Sequence, residues 1–208
     1  MEEIGTKKEQ LEALSQAIND FTKNNYSEDW RLGSMHHMLY GGSFDSNIMV
    51  IQAKCDRPEI YWGEREGLHH GFTMYSPSGN MFKRAAKKAK YDEENDFFYA
   101  SLVPFYPIAG QMFNEKTVGE FAWILDSLVE IICPKYIILL GYDVFTYVVG
   151  EIDKVSFWNM TLNNKMLNMD DYLIVPLEDP SLIDNEDILK KKRFFGTLKL
   201  LNLHTRLI

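Results

Sequence analysis

Residues able to move protons gather in one stretch of this 208-residue chain: Asp56, Glu64 and Glu66 with His69, inside a polar, glycine-containing run that extends to residue 80. Carboxylates beside an imidazole can share general acid and base work, and long irregular stretches inside compact domains are often functional. The other suggestive groups fall away on spacing. His36-His37 and His69-His70 are adjacent pairs, and neighbouring side chains point apart on any regular element. Metal ligation on a helix wants an i,i+4 pair, or a cysteine or acid at loop spacing, so no metal site is expected. Gly41-Gly42 lacks the Lys-Ser/Thr that completes a phosphate loop, and no Gly-x-Ser-x-Gly elbow occurs. Cys55 and Cys133 are too few for a disulfide framework or a four-thiolate cluster and read as reduced, mostly buried thiols.

Charge argues in the same spirit. The formal net charge is −8, whereas a duplex-binding surface usually needs the opposite sign, because phosphate neutralisation supplies most non-specific affinity. A local basic face remains: residues 81–90 read as a helix carrying Lys83, Arg84, Lys87, Lys88 and Lys90. With 46% hydrophobic and 13% aromatic residues the chain is neither disordered nor fibrous, and its length fits one domain with a real core. No run approaches the roughly 18 apolar residues of a membrane span. The first residues are acidic and polar, without an apolar signal core. A soluble protein made in a cytoplasm, with no membrane partner, is expected.

The elements that must position these groups alternate. Leu11, Leu14, Ile18 and Phe21 recur at helical spacing, predicting a helix over about 7–23. Residues 41–47 read as a loop by composition. Short apolar runs predict buried strands at about 48–52, 97–103, 136–140 and 172–176. Thr117-Val118-Gly119-Glu120 has the form of a capping box. The helix it would start carries an apolar stripe and stops before Pro134. Asp143 is placed to cap a short helix ending near Gly150, 151–170 reads as a connection, and a closing helix spans about 186–203. Strands separated by helices imply a three-layer αβα fold with a central, mostly parallel four-stranded sheet. Ligands in such sheets sit at the carboxyl ends of strands, here residues 51–56, 101–107, 141–143 and 177–182.

On this frame, residues 46–208 resemble the uracil-DNA glycosylase superfamily, and 1–45 form an extension of a helix and a loop. Ile48-Met49-Val50-Ile51-Gln52 is similar to the strand entering that family's first motif, and Ser78-Gly79-Asn80-Met81-Phe82-Lys83 to its Ser/Asn-rich helix entry. Residues 97–107 resemble the strand ending in the base-reading position. Pro134-Lys135-Tyr136-Ile137-Ile138-Leu139-Leu140-Gly141 is the strongest match. Asp179-Pro180-Ser181-Leu182, with Arg193-Phe194-Phe195-Gly196 downstream, resembles the His-Pro-Ser loop and its following helix.

The resemblance implies base flipping and cleavage of the bond between uracil and deoxyribose, with no cofactor. It also implies the residues that should do it, and three of them are changed. Gln52 takes the first polar position, but Ala53 takes the position of the carboxylate or amide that positions water; a one-residue shift offers only Lys54. Ser101 stands where an asparagine reads both polar edges of uracil, which one hydroxyl cannot do. Asp179 stands where a histidine stabilises the departing base, and a carboxylate there is repulsive. Losing one such group typically costs about 10²–10³ in rate.

Other implied roles have candidates: Phe72 or Tyr75 for base stacking, Leu182 as the wedge replacing a flipped base, and Lys83, Arg84, Lys87 and Lys88 for DNA phosphates. Domains of this kind also serve as non-enzymatic parts of viral DNA-handling machinery. The expected function is therefore that of a non-catalytic structural or assembly subunit, in a replication complex or a virion, acting through protein partners. Phe157, Trp158 and Met160, apolar residues in a polar connection, are the expected contact, unless Trp158 folds back on the domain's own core. The alternative is a glycosylase of altered base preference, using Asp56 or Glu64 in place of Ala53. A nucleic-acid binder without chemistry is a third.

Overall fold

The computed structural model describes residues 5–25, 40–54, 77–103, 115–169, 171–183 and 186–206. Four strands carry continuous apolar runs: β2 (Ile48–Lys54), β3 (Phe98–Val103), β4 (Tyr136–Leu140) and β6 (Leu173–Leu177). They lie side by side in the order β3-β2-β4-β6, every neighbouring pair parallel. Strands in this setting are covered on both faces, which is why β4 is buried at every residue.

The sheet is larger than the four strands expected from sequence. β1 (Tyr40–Gly42) joins β3 antiparallel on one edge, and β5 (Leu167–Asn168) joins β6 antiparallel on the other. Among the described residues the mixed sheet thus has six strands. Both additions are too short to show an alternating pattern, and the first corrects the loop expected from residue 41. Gly42 is required there: its φ is +83°, and a Cβ would lie 2.1 Å from the Phe97 carbonyl oxygen.

Helices cover the two faces. On one side lie α1 (Lys7–Asn25), α3 (Glu115–Ile132), α4 (Tyr142–Val149) and α5 (Lys154–Leu162); on the other lie α2 (Pro77–Lys88) and α6 (Ile188–Thr205). Alternation of side chains along the strands feeds both cores. Met49 and Ile51 enter the α1/α3 side, while Ile48 and Val50 enter the α2/α6 side.

Helix starts differ from expectation in instructive ways. Helix α3 is already helical at Glu115, so Thr117 is inside it and is no cap. A reciprocal capping box forms instead at the start of α1: Glu9 donates its amide to Thr6 Oγ1 at 3.3 Å, and Thr6 donates its amide to Glu9 Oε2 at 2.7 Å. The Thr6 amide and the Thr6 hydroxyl, both donating to Glu9 Oε2, hold that carboxyl below its ordinary range. Gly141, not Asp143, is the N-cap of α4; Asp143 sits in the first turn, where its charge complements the helix dipole.

Candidate functional site

The four parallel strands end on one edge of the sheet, and the residues in question stand at those ends. Gln52 on β2 and Ser101 on β3 are register partners. Both follow the alternation of Val50 and Tyr99 toward the α2/α6 side. Gln52 Nε2 donates to Ser101 Oγ at 3.1 Å, with the two residues 8% and 3% exposed. The amide that would otherwise meet a ligand meets the neighbouring strand's hydroxyl. Ala53 turns the other way and packs against the α1/α3 core.

Asp179 follows β6. Its Oδ1 accepts the Ser181 amide at 2.8 Å and caps a short 3-10 turn, Pro180–Leu182. The carboxylate thereby shapes the loop that in the resemblance begins with histidine. It also explains Gly141 at the end of β4. The Gly141 amide donates to the Leu177 carbonyl at 2.8 Å; its φ is +99°, and a Cβ would stand 3.2 Å from Asp179 Cβ. The ends of β4 and β6 are therefore drawn together over a residue with no side chain.

Reasoning from sequence missed Glu178. It is 5% exposed, its Oε1 lies 3.5 Å from Arg193 Nη1 of α6, and neither carboxylate oxygen has a hydrogen-bond partner among the described residues. Burial raises its pKa, while Arg193 and Lys190 oppose the rise. The available signal was its place as an acid directly after a buried strand, where a compensating cation is demanded.

Of the DNA-contact candidates, Lys83 is ion-paired with Glu93 at 2.6 Å, whereas Arg84, Lys87 and Lys88 are exposed on α2. Helix α2 packs beside the 180–182 turn, on which Leu182 is 67% exposed. The structure brings these surface residues onto adjoining elements. Asp56, Glu64, Phe72 and Tyr75, with Glu66 and the histidine pairs, lie outside the described residues. Among the described residues no group of three or more His, Cys, Asp and Glu could hold a metal ion, and no helix is long and apolar enough to cross a membrane.

The contact expected through Phe157 is corrected. The connection is a helix, α5, started by Asp153, whose Oδ1 accepts the Ser156 amide at 2.9 Å. Phe157 is 1% exposed, with ring centroids 5.3 Å from Phe145 and 5.7 Å from Tyr142. Trp158 and Met160 are half-buried and pack against the same core.

Sheet order, covering layers and a site at the carboxyl edge define an α/β domain of the glycosylase type. The model of the uracil DNA glycosylase superfamily matches residues 45–198, and the chain belongs to that superfamily. Comparison with curated proteins finds no match.

Proposed function

We propose that this member of the superfamily does not excise uracil and works through protein contacts, as a structural subunit of a larger assembly. The observation that carries the reading is the Gln52–Ser101 hydrogen bond between buried strand ends, with Ala53 turned into the opposite core. Water activation would need an acid or amide at the position of Ala53, and base reading would need a two-sided amide at that of Ser101. Instead the two ends are hydrogen-bonded to each other. Asp179, committed to its cap, adds a negative charge where a departing base would gather its own.

The test is uracil release from single- and double-stranded DNA, which should equal a no-enzyme control. Excision that disappears in an Asp56→Asn or Glu64→Gln variant would overturn the reading and establish the altered glycosylase instead.

A further inference from the structure

Helices α2 and α6, which form one layer, together hold nine lysines and arginines and no acid, in a chain whose net charge is −8. The opposite layer is acidic at α3, with four acids against one lysine. Among the described helices, then, the α2/α6 pair and α3 carry charge of opposite sign on opposite sides of the sheet, with Lys83, Lys190 and Arg193 paired to Glu93, Asp187 and Glu178.

Each face also carries an apolar feature. On α6, Leu189, Gly196 and Leu203 repeat at seven-residue spacing, with Leu200 beside them; Lys192, Lys199 and Arg206 form a parallel line at the same spacing. Leu189, Leu200 and Leu203 are 69%, 45% and 52% exposed. On the other face, a groove of about 450 Å³ runs between α3 and α4. Leu125 and Val129 form its α3 wall, Ile137 its floor and Val148 its far wall, and Asp126 and Glu130 stand on the same α3 wall. Both acids are exposed, and neither is ion-paired among the described residues.

We infer that the α6 stripe of one copy docks along the α3/α4 groove of a second copy. An amphipathic helix lying in an apolar groove is a recurrent recognition mode. Here the lengths agree: about 21 Å of α6 from Leu189 to Leu203, against about 18 Å of α3 from Val118 to Glu130, at the rise of an α-helix. The cation line beside the leucines matches the carboxylates beside the groove. Phosphates would use the cations and leave the leucines in water, so a polyanion fits the stripe less well than this partner. Because stripe and groove lie on opposite sides of the sheet, the contact is head-to-tail, building rings or open chains rather than a two-fold dimer.

This inference names a partner for the assembly role proposed above. Its failure would show in mass, whereas failure of the non-excising reading would show in uracil release. Light scattering on the eluting protein should give a mean mass that climbs with concentration and falls toward the monomer in roughly 0.5 M salt. Leu200→Glu/Leu203→Glu, at exposed positions, should be monomeric, and so should Asp126→Lys/Glu130→Lys. Mixed in equal amounts, the two variants retain one good groove and one good stripe between them, so they should form a dimer and nothing larger. A parent that is monomeric at every concentration would overturn the inference. So would a mixture that stays monomeric, or a parent dimer unaffected by both variants. Capture of an oligonucleotide by a monomeric parent, abolished by Lys192→Glu/Lys199→Glu, would give the stripe to a polyanion instead.

Discussion

A buried carboxylate one residue from a loop-shaping one makes the end of β6 sensitive to pH. Glu178 is nearly covered, and Arg193 at 3.5 Å only partly offsets its lost hydration. Its folded pKa is raised, so the folded state holds a proton that the unfolded chain has already released. The stabilisation from that proton is fully present below the ordinary carboxylate range and is lost as pH rises through the raised value. Glu178→Gln keeps the shape without the ionisation. Its urea midpoint should gain on the parent's between about pH 4 and pH 7, ending level or higher. A constant offset across that interval would mean that Glu178 ionises as freely as a surface acid. The neighbouring Asp179 has a different task, since its carboxylate is satisfied by the Ser181 amide.

Helix α1 lies outside the matched residues 45–198, yet Leu11, Leu14 and Ile18 enter the same core as α3. Lys7 Nζ ties its start to the carbonyls of Phe44 and Ile132, at 3.1 and 3.0 Å. Leu11→Ala should therefore lower the unfolding free energy of the whole molecule by about 2–5 kcal/mol in one cooperative transition, read by urea denaturation. An early separate transition would make α1 an appendage. The same measurement separates the α5 aromatics. Phe157→Ala should cost about 3–5 kcal/mol as a core deletion, and Trp158→Ala, half-buried, clearly less.

What could be read beforehand follows from how far each signal reaches along the chain. The four central strands were legible because strands covered on both faces must be apolar throughout, as Tyr136–Leu140 is. Helices α1 and α6 showed in their periodicity or length. Edge strands of two or three residues cannot show a period. Helix α5 reads as a connection in the sequence because Phe157-Trp158-Asn159-Met160 resembles an exposed apolar group until Asp153 is recognised as its cap. At the site, the residue types were legible, but the pairing of Gln52 with Ser101 is a matter of register between strands far apart in sequence. Glu178 was hidden for the same reason, since its cation lies on a different element.

At the scale of the whole molecule, net charge conceals the separation of charge. A chain of pI about 5.2 should pass through a cation exchanger at neutral pH, but helices α2 and α6 gather nine cations on one side of the sheet, of which three are paired with acids. Retention at low salt is the expected outcome. Lys192→Glu/Lys199→Glu should abolish it, while Lys154→Glu/Lys165→Glu, the same change in net charge on exposed residues elsewhere, should leave most of it. Equal losses from both variants would mean that only the total matters. The sheet's two ends carry a further consequence. Among the described residues its parallel core is finished on each side by two or three residues running the other way, and so short a row of peptide groups is a poor template for an incoming strand. Strand addition is discouraged along the covered part of each border of the described sheet. A border of this kind favours contact through the helical layers over strand-to-strand pairing wherever copies meet.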